Sequence, residues 1–191
     1  MHRIAEPHRV LLLIVAGLAL GLVRVEAANW PQLLGPRADG TSTETGLLAA
    51  WPNGGPEVVW KKKIGTGYSA PSIRNSRLIV FHRIGNEEIV EALDAKTAKP
   101  LWKHAYSTRY RDPFGYNNGP RCTPLLTMSH CFTFGAEGVL LCLDIETGKP
   151  AWQRKTAEEF QVPEAFFGIG ASPVLEGDLL IVMVGGQPNS T

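Results

Sequence analysis

The sequence predicts an all-β fold, a partial β-propeller. This prediction rests on two repeated features. The eleven residues Ala92–Trp102 return fifty positions later as Cys142–Trp152. Their flanks repeat as well, because a small residue followed by proline and then by a β-prone apolar run occurs three times, in Ser69–Phe81, Cys122–Phe134 and Ala171–Val184. A period of about 40 to 50 residues is typical of propellers and solenoids rather than of one continuous core. The chain therefore holds two whole copies of a unit and the start of a third.

Each unit is expected to form one blade, a four-stranded antiparallel sheet. Short β-prone runs separated by turn signals are typical of such a meander. In the first unit the strands are expected at Ser69–Ile73, Arg77–His82, Glu88–Asp94 and Pro100–Tyr106. A turn at Gly85-Asn86 joins the second and third of them. We therefore assign residues 65–106 to the first blade, 119–155 to the second and 166–191 to a partial third.

Residues 57–64 resemble the last strand of a blade, because Trp60 falls in register with Trp102 and Trp152. In a ring of blades, such an N-terminal strand completes the final blade and leaves no sheet edge open. Residues 57–191 are thus expected to form an incomplete propeller with an N-terminal closing strand. We expect a fragment of a ring of about six to eight blades. The alternative is that units from several chains assemble into one ring.

The first 27 residues are expected to be a cleaved signal peptide, which predicts a periplasmic or secreted protein. Basic residues precede a fourteen-residue apolar run, Val10 to Val23, and small residues lead up to Ala27. The run is too short to cross a bilayer comfortably, since about 20 residues are needed. We expect no membrane span after cleavage, and a retained membrane anchor is the alternative. Residues 28–56, rich in Gly, Pro, Asn and Thr, are expected to form an extended lead-in.

Charge argues against a nucleic-acid partner. The chain has 19 basic and 18 acidic residues, and removal of residues 1–27 takes away three Arg and two Glu, which leaves sixteen of each. Binding to phosphates requires a basic surface that a neutral chain of this composition does not predict.

The three cysteines leave two alternatives open. If Gly135–Gly138 forms a tight hairpin turn, the register places Cys131 directly opposite Cys142, and an exported protein could oxidise that pair to a cross-strand disulfide. The other alternative is buried free thiols, which are commoner in sheets.

The loop inside the repeated eleven residues is expected to serve the architecture of each blade. Asp94 and Asp144 stand where a strand ends, and their carboxylates can accept hydrogen bonds from nearby amides and so close a turn. Gly148 suits a position with positive φ, whereas Ala98 at the same place in the first copy would be strained or would shift the turn. Trp102 and Trp152 are each expected to pack against the neighbouring blade.

These residues resemble the tryptophan-docking motif of PQQ-like (quinoprotein-like) propeller repeats, in which Ala is followed six residues later by Gly and then four residues later by Trp. The first copy has Ala92, Ala98 in place of Gly, and Trp102; the second has Cys142 in place of Ala, Gly148 and Trp152. The lead-in stretch Trp30-Pro31-Gln32, with the Gly35-Pro36 step, is similar to exported bacterial members of no settled activity, although Leu33 and Leu34 replace the Trp-Arg pair expected there.

The resemblance implies a fold rather than an activity, because one fold hosts many functions. The favoured function is a non-catalytic binding or scaffold module of the cell envelope, whose partner is a protein or another envelope component. The alternative is a PQQ-dependent quinoprotein dehydrogenase. For that enzyme the resemblance implies PQQ beside a calcium ion and an Asp base in the central channel, with an adjacent Cys-Cys pair that this sequence lacks.

No catalytic residue, metal site or resident cofactor is predicted, and whether the protein is an enzyme stays open. His82, His104 and His130 have no metal-ligand spacing to one another or to a cysteine. Binding residues are expected in the loops between blades, because loops on a rigid scaffold carry most binding sites. The candidates for a bound ligand or cofactor are Tyr116, Asn118, Arg121 and Phe167. The alternative is that these loops only fill the gap between blades.

Overall fold

The computed structural model describes residues 28–163 and 167–185. The first blade holds four antiparallel strands in sequence order, β1 (Ser72–Arg74), β2 (Arg77–Ile84), β3 (Glu87–Asp94) and β4 (Pro100–Ser107). The second repeats that order with β5 (Leu125–Leu126), β6 (His130–Phe134), β7 (Val139–Asp144) and β8 (Pro150–Lys155). A one-turn helix, α1 (Thr156–Glu159), then precedes the paired strands β9 (Val174–Glu176) and β10 (Leu179–Ile181). The predicted all-β, partial propeller is confirmed, whereas the predicted signal peptide lies outside the described residues.

Two-residue turns set the register of the first blade. Asn75 and Ser76 both have positive φ, 48° and 60°, in the turn between β1 and β2. Two positive values are what a tight hairpin turn requires for its twist to match that of the strands. Gly85, with φ 59°, begins the predicted turn between β2 and β3, where Ile84 pairs with Glu87. These turns align the apolar residues of neighbouring strands on one face.

The repeated eleven residues form the same structure twice. Asp94 Oδ1 accepts the backbone N–H of Thr97 at 2.8 Å, and Asp144 Oδ1 accepts that of Thr147 at 2.8 Å. The hydroxyl of each threonine also donates to the same oxygen, and this is the main reason why the pKa of both carboxyls lies below its usual value. A β-bulge interrupts the ladder just before each aspartate. The predicted turn-closing role of the two aspartates is confirmed.

The main core lies between the two blades. The first blade contributes Ile79, Phe81, Val90, Ala92 and Trp102, and the second contributes Leu126, Cys131, Leu141, Leu143 and Ile145. Trp102 is 9% exposed, and its Nε1 donates to the Ile145 carbonyl at 2.9 Å. The indole lies so close to Gly148 that a Cβ at that position would be 2.5 Å from the ring. One blade thus places its tryptophan on the repeated loop of the next.

Residues 57–64 do not form the predicted β-strand. No described strand pairs with them, and a strand needs such a partner to form its ladder. The register assigned to Trp60 nevertheless agrees with its contact, because Trp60 Nε1 donates to the Ala95 carbonyl at 2.9 Å. This hydrogen bond matches the one that Trp102 makes to Ile145. Closure of a final blade by residues 57–64 stays a prediction.

The hairpin between β6 and β7 differs from the predicted one by a single residue. The predicted turn places Gly135 opposite Gly138, but the amide of Gly135 donates to Val139 at 2.9 Å. Gly138 has φ 90° and is an extra residue in the turn. An extra glycine in the left-handed region is typical of three-residue hairpin loops. The predicted register between β6 and β7 was therefore wrong by one residue.

This shift separates the two cysteines proposed as a pair. Cys131 lies opposite Leu143 instead of Cys142. Since neighbouring residues of a strand point to opposite faces, Cys131 and Cys142 lie on different faces of the sheet. Both are buried free thiols, as is Cys122, and burial raises the pKa of Cys122 to about 12 and that of Cys142 to about 11. The alternative of free thiols is confirmed.

A buried histidine anchors the segment that leads into the first blade. The amide of Gly65 donates to His82 Nδ1 at 3.2 Å, so this nitrogen carries no proton. His82 Nε2 lies 3.8 Å from Glu91 Oε2, and Lys62 and Lys103 also face the ring. Burial lowers the pKa of His82 below its ordinary value of 6.5, although Glu91 acts in the opposite direction.

The protein is therefore expected to lose stability as the pH falls below about 6.5, because the unfolded chain then binds a proton that folded His82 does not. The slope is at most about 1.4 kcal/mol per pH unit for this group. Denaturant titrations between about pH 7.5 and 5.5 measure it. His82→Asn, which keeps an acceptor for Gly65, should flatten the slope. Part of the slope should persist, because burial also lowers the pKa of His104. Equal slopes in both proteins would contradict the assignment.

Candidate functional site in the loop between the blades

The loop between the blades is held in shape by its own polar groups. Asp112 accepts the backbone N–H of Phe114 at 2.9 Å and that of Asn117 at 3.0 Å. The Asn117 amide is the main reason why the pKa of the Asp112 carboxyl lies below its usual value. Asn118 Oδ1 in turn accepts the backbone N–H of Asp112 at 2.7 Å. The loop is thus closed on itself like a capped turn.

Two arginines fix this loop to the blades. From β2, the buried Arg83 donates through Nη1 to the carbonyls of Tyr110 at 2.7 Å and Asn118 at 2.8 Å. Arg121 places its guanidinium 4.9 Å from the centre of the Tyr110 ring and 3.5 Å from Asp112 Oδ2. Neither Arg83 nor Asp112 was predicted. Arg83 acts from a distant strand, so no local signal identifies it, whereas Asp112 accepts amides two and five residues later, a local turn signal that could have identified it.

Two aromatic side chains of this fixed loop and one of the next inter-blade loop lie side by side on the surface. Phe114, Tyr116 and Phe167 are 47%, 71% and 54% exposed. The ring centre of Phe114 lies 6.0 Å from that of Tyr116 and 5.5 Å from that of Phe167. We call these three residues the rim aromatic cluster. It brings together residues of the first inter-blade loop and of the second, which are about fifty positions apart.

The four candidate residues therefore divide into two pairs. Asn118 and Arg121 turn inward and hold the loop, so their proposed contact with a ligand is not supported by their hydrogen bonds. Tyr116 and Phe167 lie on the surface as parts of the rim aromatic cluster, and their contact with a ligand stays a prediction. Phe114 lies two residues from Tyr116 in the same loop, and its ring joins the two candidate rings.

A buried carboxylate ties the two blades together beside this loop. Glu88 of β3 accepts the hydroxyl of Tyr106 at 2.6 Å and the backbone N–H of Ala136, in the second blade, at 3.0 Å. Burial raises the pKa of Glu88, and these two hydrogen bonds act in the opposite direction. Because both partners are donors, the site is a structural clamp that satisfies a buried acceptor.

Two neighbouring cavities of about 530 and 360 Å³ adjoin the loop. Both are lined by Arg109, Glu137, Ala157 and Val162. The Glu137 carboxylate already accepts the hydroxyl of Thr108 at 3.0 Å and the backbone N–H of Arg109 at 2.8 Å. The cavities therefore have a mixed lining of charged and apolar side chains, and one carboxylate oxygen of Glu137, Oε2, already accepts two hydrogen bonds from the protein.

The metal-binding potential of the described side chains concerns the alternative of a quinoprotein enzyme with calcium. Calcium takes six to eight oxygen ligands, mostly from carboxylates and carbonyls. Residues 28–163 and 167–185 contain no group of three or more His, Cys, Asp or Glu side chains that could hold a metal ion. We derive no reaction step through PQQ or calcium from these residues.

A family model described as outer membrane protein assembly factor BamB matches residues 86–188, more than half of the 191 residues. The chain belongs to the PQQ-like propeller family. No curated protein sequence shows significant similarity to this PQQ-like propeller. Within the described parts of the chain, no helix has the length and apolar character needed to cross a bilayer.

Solved structures with a similar fold include enzymes and an assembly factor. Quinohemoprotein alcohol dehydrogenase from Comamonas testosteroni matches with 19% identity and a TM-score of 0.46, over 65% of this chain and 18% of that chain. A europium-containing methanol dehydrogenase matches with 19% identity and a TM-score of 0.47, over 65% of this chain and 21% of that chain. BamB from Moraxella catarrhalis matches with 20% identity and a TM-score of 0.36, over 58% of this chain and 26% of that chain. The PQQ-like propeller thus spans about a quarter or less of these proteins.

Proposed function

We propose that this PQQ-like propeller is an exported, non-catalytic binding or scaffold module of the cell envelope, and that the rim aromatic cluster contacts a protein partner. The observation that carries the proposal is an exposed group of three aromatic rings, of which Phe114 and Tyr116 stand on a loop that is already fixed and Phe167 packs against Phe114. Aromatic side chains dominate the energy of protein interfaces, and a surface that is ordered before binding loses little entropy on binding. The matching family model, described as an outer membrane protein assembly factor, supports a protein partner.

The two blades suit a scaffold because their contacts hold them in one relative position. Trp102 reaches the loop at Ile145, and Glu88 reaches Ala136, so an indole and a carboxylate both cross the interface. We interpret the contact of Trp102 with the loop at Gly148 as the tryptophan docking of PQQ-like repeats. A rigid interface of this kind keeps the rim aromatic cluster at a constant position relative to both blades.

Replacement of Phe114, Tyr116 and Phe167 together by alanine is expected to weaken partner binding by at least about tenfold, since truncation of central aromatic anchors typically removes most interface energy. The melting temperature should change little, because all three rings are exposed. The measurement is quantitative co-purification of envelope proteins with the full chain after mild cross-linking, followed by titration of the captured partner.

The matched control replaces Ile84, Leu101 and Val59, which are exposed apolar residues outside the loop, by alanine. This control should bind as the original chain does. An alanine variant of the rim aromatic cluster that retains its partner at full affinity would overturn the proposal.

Addition of PQQ and calcium to the full chain separates this proposal from the alternative, a PQQ-dependent dehydrogenase. We expect neither quinone absorbance retained by the protein after gel filtration nor dye-linked oxidation of alcohols. Retained absorbance together with turnover would overturn the non-catalytic function. Retained absorbance without turnover would also contradict it, because no resident cofactor is proposed.

A further inference from the structure

The lead-in stretch that includes Trp30 forms an extra strand-like partner for the first blade. The backbone N–H of Trp30 donates to the Ile73 carbonyl at 2.9 Å, and the N–H of Ile73 donates to the Trp30 carbonyl at 2.9 Å. The Asn29 side chain accepts the backbone N–H of Asn75 at 2.8 Å. Residues 29 and 30 therefore pair with β1 as an added strand would.

The same stretch also reaches the second blade. Leu126 of β5 donates its backbone N–H to the Pro31 carbonyl at 2.7 Å. β1 and β5 are the first strands of their sheets, so each has one edge without a strand beside it. They lie next to one another, since the Ser72 hydroxyl donates to the Pro124 carbonyl at 2.6 Å. The lead-in thus supplies hydrogen bonds to two neighbouring sheet edges that would otherwise be open.

Residues 29–40, which we call the clasp, form a folded unit of their own. Gly35 has φ 81° and lies beneath the Trp30 ring, where a Cβ would be 2.8 Å from the ring atoms. The turn is closed by hydrogen bonds from the Gly35 amide to the Gln32 carbonyl at 3.0 Å and from the Gly40 amide to the Leu34 carbonyl at 2.9 Å. In the Trp30-Pro31-Gln32 and Gly35-Pro36 stretch noted in the sequence, the turn therefore holds the Trp30 ring over Gly35.

The segment after the clasp makes few contacts with the rest of the protein. Residues 41–56 contain no strand or helix, and all of them except Glu44 are exposed. Residues 41–56 therefore limit how far the clasp can move from the first blade, but they do not fix its position. The position of the clasp is therefore determined by its own contacts with β1 and β5.

We propose that the edges of β1 and β5 form a binding site for an extended peptide of the sequence type Asn-Trp-Pro, and that the clasp fills this site within its own chain. The site uses strand addition, in which main-chain hydrogen bonds supply affinity and side-chain positions supply selectivity. Selectivity comes from an asparagine that accepts the Asn75 amide. The tryptophan packs on the glycine turn of its own peptide and so holds that peptide in the conformation that binds. The inference does not depend on the rim aromatic cluster.

The test uses the full chain with a protease site inserted after Gly46, which has no neighbouring atom within 4 Å of where its Cβ would be. After cleavage of the folded protein, the clasp peptide is expected to stay bound. It should then exchange with a labelled synthetic peptide of residues 28–46, whereas the uncleaved chain should not take up that peptide. A peptide with Asn29→Ala and Trp30→Ala should bind about tenfold more weakly or worse, since one hydrogen bond and the indole packing are lost.

A peptide with Thr43→Ala is the matched control, because Thr43 is exposed and lies beyond the clasp, so it should not affect binding. Equal uptake of the three peptides would overturn the proposal. A second measurement applies if cleavage destabilises the blades.

In the uncleaved chain, Trp30→Ala should accelerate hydrogen exchange at the amides of Ile73 and Leu126 but not at Leu141 in the central strand β7. Unchanged exchange at Ile73 and Leu126 would also overturn it.

Discussion

Replacement of Trp102 by alanine is expected to lower the free energy of unfolding by about 3–5 kcal/mol, the range measured when a large buried aromatic side chain is truncated. The indole is 9% exposed and fills the space between the two blades. Its loss also leaves the Ile145 carbonyl without the donor that lies 2.9 Å away. Denaturant titration followed by circular dichroism measures the change.

Trp152 provides the matched control, because it occupies the equivalent position in the second copy of the repeat. It is 40% exposed, and its ring centre lies 5.9 Å from that of Phe132. Trp152→Ala should therefore cost only about 1 kcal/mol, the size of one aromatic pair contact. The loss of unfolding free energy for Trp102→Phe should lie between those for Trp102→Ala and Trp152→Ala, since phenylalanine keeps most of the packing but loses the hydrogen bond. Equal losses at Trp102 and Trp152 would contradict the assignment of Trp102 to the inter-blade core.

Gly148→Ala is expected to lower the free energy of unfolding by about 2–5 kcal/mol. The backbone there has φ 69°, which costs an alanine about 1–2 kcal/mol. In addition, the new Cβ would lie 2.5 Å from the Trp102 ring, and forced overpacking of this kind typically costs about 1–3 kcal/mol. Urea titration of the variant measures the sum of the two effects.

The opposite substitution in the first copy is the matched control. Ala98 has φ 56°, so the alanine is strained where its counterpart is a glycine. Ala98→Gly should stabilise the protein by about 0.5–1 kcal/mol, because relief of the strain exceeds the added entropy of the unfolded chain. Changes of the same sign for Gly148→Ala and Ala98→Gly would contradict this account of the repeated loop.

The elements predicted correctly depend on residues that are close in sequence. The turn at Gly85-Asn86 joins strands through two residues whose conformational preferences are local. The loops at Asp94 and Asp144 close through hydrogen bonds to residues three positions later. The error in the hairpin at Gly135–Gly138 arose because the local sequence allows a loop of either two or three residues, and packing with the rest of the protein decides between them.

The candidate site could be predicted only as a region. Aromatic and polar residues in the loop before Arg121 indicated a surface between blades, but their composition did not show which side chains point outward. Asn118 turns inward because its side chain accepts the Asp112 amide and its carbonyl accepts Arg83. Arg83 belongs to β2, some 35 positions from Asn118, so no local pattern reports this contact.

The sequence by itself determined the repeat, the blade as its unit and the family, because these depend on spacing and on residue types that recur at fixed intervals. The tertiary structure alone decided which faces meet. It placed Cys131 and Cys142 on opposite sides of a sheet, joined Phe114 to Phe167 across two loops, and laid the clasp along β1 and β5. The physical reason is that such contacts join residues far apart in the chain, and their formation depends on the packing of whole blades.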